Sequence, residues 1–198
     1  MRVISGQARG RKLREPSDSA IRPTGARVKE SIFNIIQFDV EGGRVLDLFS
    51  GTGQLGIEAL SRGASGAVFV DVSDEAVRLT RANLAASGFS ELAAVERRDG
   101  LAYIGQCGKY GKFDLIFLDP PYDTALLRES LEKIIEFDIL MENGIIVCES
   151  RSGAPMPDVP APYHRRPEYR YGGIKITLYD RTRGPYAPAA EDLASDGK

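Results

Sequence analysis

The sequence predicts an α/β fold, a mainly parallel sheet with helices on both faces and an antiparallel hairpin at one edge. Three observations carry this. Short apolar runs alternate with stretches of helical period from residue 44 to residue 148. Two of the runs, Phe113 to Leu118 (FDLIFL) and Gly144 to Cys148 (GIIVC), are apolar almost throughout, as strands buried on both sides are. Near the end, Glu168 to Tyr171 and Ile174 to Asp180 flank Gly172-Gly173, a two-glycine hairpin signal. Strands that alternate with helices imply right-handed βαβ units and a covered parallel sheet.

Each element has its own signal. Val28, Ile32, Ile35 and Ile36 recur at i, i+4, i+7 and i+8, an amphipathic helix that Gly42-Gly43 follows and closes. Arg44 to Phe49 reads as the first strand and Gln54 to Arg62 as the helix after it. Ala67 to Val72 is the second strand. Its helix begins after Ser73, an N-cap with Asp74 and Glu75 in the first turn, and stops at Gly88. Leu92 to Glu96 is a weaker third strand, and FDLIFL the fourth, with a helix over residues 124–137 behind it. Ile145 to Cys148 is the fifth strand. Residues 184–198 have no period and read as a disordered tail. The expected organisation is a basic arm and helix over residues 1–40, one domain over 41–183, and the tail.

Composition bounds the function. A chain of 198 residues with 42% hydrophobic and 27% charged residues buries a sizeable core as one domain. No apolar run reaches the roughly 18 residues of a membrane span. Met1-Arg2-Val3-Ile4 does not open a signal peptide, so a cytoplasmic protein is expected. Cys107 and Cys148 lie in apolar segments and suit reduced thiols. The formal charge of -2 advertises no polyanion partner, but it is unevenly spread. Arg2, Arg9, Arg11, Lys12, Arg14, Arg22, Arg27 and Lys29 stand against only Glu15 and Asp18, so residues 1–29 carry +6 and the rest -8. With Ser5, Gly6 and Gly10 among the arginines, this segment suits a flexible arm that orders on RNA. A solvated leader is the plainer alternative. A second basic cluster, His164, Arg165, Arg166, Arg170 and Lys175, comes late.

The chemistry concentrates at strand ends. Gly51, Gly53 and Gly56 form G-x-G-x-x-G where the first strand meets its helix, in the stretch Asp47-Leu-Phe49-Ser50-Gly51-Thr-Gly53. Glycines let such a turn approach a ligand, and the helix N-terminus favours an anionic group. The pattern does not separate NAD from S-adenosylmethionine, and a tight turn without ligand would read the same. Asp71, about 20 residues on, can accept hydrogen bonds from ribose hydroxyls. Asp99-Gly100 ends the third strand, where a carboxylate can accept adenine amino protons. Asp47, inside the first strand, would complement a ligand ammonium. These strand ends share one edge of the sheet, where open α/β sheets bind ligands.

Asp119-Pro120-Pro121-Tyr122, directly after FDLIFL, is the sharpest signal. Prolines end the strand and donate no hydrogen bonds, so an aspartate beside their carbonyls makes an acceptor-only pocket for an exocyclic amino group. Tyr122 offers a flat face to a base. Pro and Asp also make ordinary turns, but this turn stands beside a nucleoside-shaped site.

These motifs resemble the class I S-adenosylmethionine-dependent methyltransferases that act on amino groups, whose signature is Asp/Asn-Pro-Pro-Tyr/Phe. Val3 to Leu13, Arg22-Pro-Thr, Arg27 to Asn34, Asp47 to Gly53, Gly56 to Gly63 and Phe117 to Tyr122 resemble the bacterial 16S rRNA guanine-N2 methyltransferases (RsmD-like), over residues 2 to about 181. Ser50, Thr52 and Gln54 depart mildly from the small residues, often Ala, Ser and Ala, of that pattern.

The resemblance implies a Rossmann-like, mainly parallel seven-stranded sheet. It also implies S-adenosylmethionine as cofactor and methylation of one guanine N2 in 16S rRNA, in the small subunit or an assembly intermediate. Catalysis would fall to Asp119, Pro120, Pro121 and Tyr122. The cofactor would lie on Asp47, Phe49, Ser50, Gly51, Gly53, Asp71, Asp99 and Gly100, and RNA on Arg9, Arg11, Lys12, Arg22 and Arg27. The one histidine, His164, reads as a surface residue and no Cys/His cluster suggests a metal. Nothing in the sequence demands more than a monomer. Methylation of adenine N6 or cytosine N4 stays open, since the same motif serves those amino groups. More distant are an NAD-dependent oxidoreductase and a non-catalytic RNA-binding module.

Overall fold

A computed structural model describes residues 1–16, 25–107, 111–122 and 124–181. The strands are β1 (Arg44–Leu48), β2 (Gly66–Asp71), β3 (Ala93–Arg97), β4 (Phe113–Leu118), β5 (Leu140–Arg151), β6 (Tyr163–Arg165), β7 (Tyr169–Tyr171) and β8 (Ile174–Arg181). The α-helices are α1 (Ala26–Ile35), α2 (Gln54–Ser61), α3 (Asp74–Ser87), α4 (Gly100–Cys107) and α5 (Leu126–Glu136). One sheet runs in the order β3-β2-β1-β4-β5-β8-β6, with β7 also on β8. Strands β1 to β5 are parallel, and β8 returns antiparallel to β5. The seventh position is shared, because β6 and β7 pair with opposite ends of β8. The sheet is thus the expected Rossmann-like one, with its last rung split in two.

Alternation along the strands feeds two cores. Val45, Leu115 and Phe117 face α1, α2 and α3, where they meet Ile32, Phe33, Ile57 and Leu84. Leu46, Leu48, Ile116 and Leu118 face α4 and α5 and meet Tyr103, Ile104, Leu131 and Ile134. The chain moves outward from β1 to β3 and then restarts at β4 on the other side of β1. The topological switch therefore lies between the carboxyl ends of β1 and β4, where such sheets open a crevice.

Most boundaries follow their local chemistry. The Ser73 hydroxyl accepts the Ala76 N–H at 3.3 Å, and Gly88 ends α3 at φ +82°. The hairpin forms at Gly172-Gly173, with Tyr171 paired to Ile174. Strand β5 extends beyond the apolar run because its pairing to β4 jumps from Phe113–Leu140 to Leu115–Ile145. Met141, Glu142 and Asn143 are exposed at that irregularity, and Asn143 sits at φ +64°. Helix α4 was hidden by its two glycines; the Asp99 carboxylate caps it by accepting the Ala102 N–H at 2.9 Å. Residues 184–198 and Arg22 lie outside the described residues.

The flexible arm is corrected. Residues 1–14 fold back on themselves, with Arg2 bridged to Lys12, and pack along α2 through buried Val3, Ala8 and Leu13. Glu58, fully buried in α2, accepts the N–H groups of Ile4 at 2.8 Å and Ser5 at 3.0 Å. It also pairs with Arg62 at 3.0 Å and with Lys29 of α1 at 3.4 Å, while Lys29 donates to the Arg2 carbonyl at 2.9 Å. Burial depresses the Lys29 pKa and the Glu58 carboxylate opposes that fall. Breaking a pair so enclosed costs about 3–5 kcal/mol, because the remaining charge stays buried. Three widely spaced apolar residues among many arginines gave no period, so this packing was not visible in the pattern.

Most cations of the late basic cluster are used within the fold. Lys175 is buried, bonded to Glu168 and the Ala154 carbonyl; Arg166 pairs with buried Asp180; Arg165 pairs with Asp158 and Arg170 with Glu168.

Candidate active site

The glycine turn starts where β1 ends. Phe49 adopts φ +66°, then Gly51 and Gly53 adopt φ +55° and +74°. A left-handed phenylalanine costs on the order of 1–3 kcal/mol, and here its surroundings hold it. Its ring lies against Gly100, where a Cβ would sit 3.0 Å from Phe49 Cε1 and Cζ. Two predicted site residues from different strand ends therefore meet, and any side chain at 100 would press on the Phe49 ring. Gly53 caps α2 without any side-chain cap, which presents the positive end of the helix to the turn. Ser50 is buried and its N–H donates to the Val70 carbonyl at 3.0 Å, tying the turn to β2.

Three acids have separate jobs. Asp47 is 2% exposed beneath the turn, and its Oδ2 accepts the Gly56 N–H at 2.9 Å. Burial pushes its pKa up to about 7 against the pull of that hydrogen bond, and nearby Asp71 adds to the rise. Asp71, half-buried, accepts from Gly51 N–H through Oδ2 and from Ser73 N–H through Oδ1, each at 2.9 Å. Each carboxylate oxygen has a second lone-pair direction, so this geometry fits a ribose that donates two hydroxyls. Asp99 is exposed at the third strand end and spends Oδ1 on the α4 cap.

Asp119-Pro120-Pro121-Tyr122 occupies the carboxyl end of β4, across the switch point from the turn. Asp119 is half-buried and Pro120 buried. The Pro121 carbonyl accepts the Thr124 hydroxyl at 2.8 Å, so of the two proline carbonyls this one is engaged. Tyr122 donates its phenol to Glu149 Oε1 at 2.6 Å, and the Arg151 guanidinium lies 5.6 Å from its ring centroid.

The basic residues are arranged by the arm's route. Gln7 and Ala8 bond to Ser61 at the far end of α2, while Arg14 bonds to Asn83 beside the glycine turn. Arg9 therefore projects from the end remote from the crevice, Arg11 and Lys12 lie between, and Arg14 is next to it. All four are exposed, as is Arg27 in the first turn of α1.

Several residues of the site escaped sequence reasoning. Thr80 donates to the Gly51 carbonyl at 3.1 Å, and Asn83 donates to the Thr52 carbonyl at 2.9 Å. Both are fully buried on α3, and polar residues at i and i+3 on its apolar face were the available signal. Glu149 and Arg151 lie in β5 just beyond Cys148, where the apolar run of the sequence stops. Among the described residues no group of His, Cys, Asp and Glu could hold a metal ion, and no helix is long and apolar enough to cross a membrane.

Comparison with known proteins finds relatives over nearly the whole chain. The family model described as "Conserved hypothetical protein 95" matches residues 1–180. Bacillus subtilis YlbH is 39% identical over 182 residues, covering 91% of this chain and 99% of that protein. Ribosomal RNA small subunit methyltransferase D of Escherichia coli K12 is 33% identical over 181 residues, covering 91% and 90%. Among solved structures, yhhF of Escherichia coli superposes with a TM-score of 0.80 at 31% identity, covering 91% of this chain and 97% of that one. The chain belongs to the "Conserved hypothetical protein 95" family, the RsmD-like methyltransferases.

Proposed function

We propose that this protein transfers a methyl group from S-adenosylmethionine to the exocyclic N2 amino group of one guanine in 16S rRNA. The observation that carries methyl transfer to an amino group is Asp119-Pro120-Pro121-Tyr122 at the end of β4, facing a nucleoside-shaped set of acids across the switch point, and the choice of guanine rests on the family resemblance. The relatives in Escherichia coli and Haemophilus influenzae are named ribosomal RNA small subunit methyltransferase D, which supports rRNA as the substrate.

The cofactor is assigned to the turn of Phe49, Ser50, Gly51 and Gly53, with Asp71 on the ribose, Asp99 and Gly100 toward the adenine, and Asp47 toward the ammonium. When bound, S-adenosylmethionine supplies an electrophilic methyl on a sulfonium. The protein's part is positioning. A guanine amino group is a poor nucleophile, because its lone pair is delocalised into the ring. Asp119 and the Pro120 carbonyl accept hydrogen bonds from that amino group and so turn its lone pair out of conjugation. Pro121 shapes the acceptor pocket and Tyr122 stacks on the base. Orientation and preorganised acceptors then provide most of the acceleration. No strong base is needed, since the proton becomes acidic only as the methyl arrives.

Guanine N2 faces the minor groove, so the target is unpaired or flipped out. Arg9, Arg11, Lys12, Arg22 and Arg27 hold phosphates and set the register. The enzyme works as a cytoplasmic monomer on the small subunit or its assembly intermediate.

The test is a methyl-transfer assay with labelled cofactor on naked 16S rRNA, assembled small subunits and DNA, followed by digestion to nucleosides. N2-methylguanosine from rRNA or subunits supports the reading. N6-methyladenosine, N4-methylcytosine or no label in any nucleic acid overturns it.

A further inference from the structure

Tyr122 hangs from the loop after β4, yet it is gripped by β5. Glu149, 5% exposed, accepts the phenol at 2.6 Å, a length suited to a charge-assisted O–H···O bond. Arg151 lies over the ring at 5.6 Å from its centroid. Glu149 and Arg151 are two apart on one strand and therefore project from the same face. Both stand on a rigid support, because β5 is paired on each side, with Cys148 opposite Leu118 of β4, Glu149 opposite Ile176 and Arg151 opposite Ile174 of β8. Leu118 precedes Asp119, so Glu149 stands one strand over at the height of the acceptor itself.

A tyrosine on a loop with a free hydroxyl rotates about two torsions, and stacking a base on it costs the entropy of stopping that rotation. Glu149 fixes the ring's tip, and Arg151 covers one face by cation–π contact, which directs a base to the other. We propose that Glu149 is a positioning residue for methyl transfer, acting through Tyr122 to set the plane on which the target base stacks beside Asp119. This rests on the amino-methyltransferase reading above. Glu149 acts on the base through the phenol. Its removal therefore slows the chemical step at saturating RNA rather than weakening the cofactor.

The experiment is single-turnover methyl transfer to 16S rRNA and small subunits, with cofactor affinity measured separately by calorimetry. Glu149→Ala and Tyr122→Phe are each expected to slow transfer about 10- to 100-fold, the scale of an ångström-level misplacement. Glu149→Gln keeps an acceptor oxygen and is expected to return to within about threefold of wild type. The double variant Tyr122→Phe/Glu149→Ala should be no slower than the slower single, because both remove one contact. Multiplied losses in the double, or an effect confined to cofactor affinity, overturn the proposal. Should Glu149→Ala fail to fold, Glu149→Gln and Tyr122→Phe decide alone: recovery in the first with loss in the second supports it, and equal losses overturn it. Fluorine NMR of fluorotyrosine-labelled protein supplies a readout that needs no activity, with the Tyr122 signal assigned by its loss in Tyr122→Phe. A signal that moves in Glu149→Ala supports the grip, and one that stays put overturns it. A wild type inert toward every RNA overturns the methyltransferase reading instead.

Discussion

The Asp71 carboxylate holds the Gly51 N–H at 2.9 Å, so the second strand fixes the glycine turn of the first. The same group takes Ser73 N–H on its other oxygen, just ahead of α3. One side chain therefore ties the glycine turn to the start of α3. In Asp71→Asn an NH₂ must face one of these two donors. Calorimetry with S-adenosylmethionine should show affinity falling about tenfold or more, the scale of one lost hydrogen bond to a charged group. Unchanged affinity would remove Asp71 from the site.

Asp47 makes stability depend on pH. Its folded pKa stands above the ordinary value, raised from 3.8 to about 7, so the folded state holds a proton that the unfolded chain has already released. Stability therefore declines as pH rises through that window and levels off above it. Asp47→Asn keeps an oxygen for Gly56 and loses the titration. Its stability relative to wild type should improve by on the order of a few kcal/mol between pH 4 and 8, read by thermal unfolding at each pH. A difference that does not vary with pH would refute this.

Gly6 locks the arm against α2. It sits at φ +79°, and a Cβ there would lie 1.7 Å from the Ser61 carbonyl oxygen. Gly6→Ala should undock residues 1–14 and cost more than about 2 kcal/mol, since the clash is with backbone. Trypsin should then cut quickly after Arg9 and Arg11, as mass spectrometry would report; cleavage at the wild-type rate would show the arm is held otherwise.

The arm's exposed cations are assigned to phosphates. Arg11→Ala and Arg14→Ala should each weaken RNA binding and reduce the slope of log affinity against log salt by about 0.7–0.9. Cofactor affinity should stay at the wild-type value. Equal salt slopes for variant and wild type would move the RNA to another face.

Asp119→Ala removes the acceptor for the amino group. Methyl transfer should fall by about 100-fold or more while S-adenosylmethionine affinity stays within about twofold. A parallel loss of cofactor binding would make Asp119 part of the cofactor site instead.

Local chemistry explains why the glycine turn, the strand ends and the caps are legible in the sequence. A sharp strand-to-helix turn needs residues tolerant of positive φ, which Gly51 and Gly53 supply. A strand stops where Pro120 and Pro121 can no longer donate to the ladder. Ser73 and Gly88 mark α3 because capping is satisfied within a few residues. Helix α4 was obscured because tertiary burial of Tyr103, Ile104 and Cys107 outweighs the low helix propensity of its glycines.

The basic arm shows the other limit. Net charge described neither the arm nor the domain, and position along the chain revealed +6 followed by -8. Yet charge order did not disclose that Lys29 pairs inward with Glu58, or that Lys175 and Arg166 are consumed by Glu168 and Asp180. By itself the sequence determined the sheet, its crevice and the acceptor motif, because each is written in neighbouring residues. Only the tertiary structure decided which charges face solvent, how the arm is seated, and that Glu149 holds Tyr122. The contacts of Glu58 with the arm and of Glu149 with Tyr122 join residues 27 or more positions apart, and their energies depend on burial that no local pattern encodes.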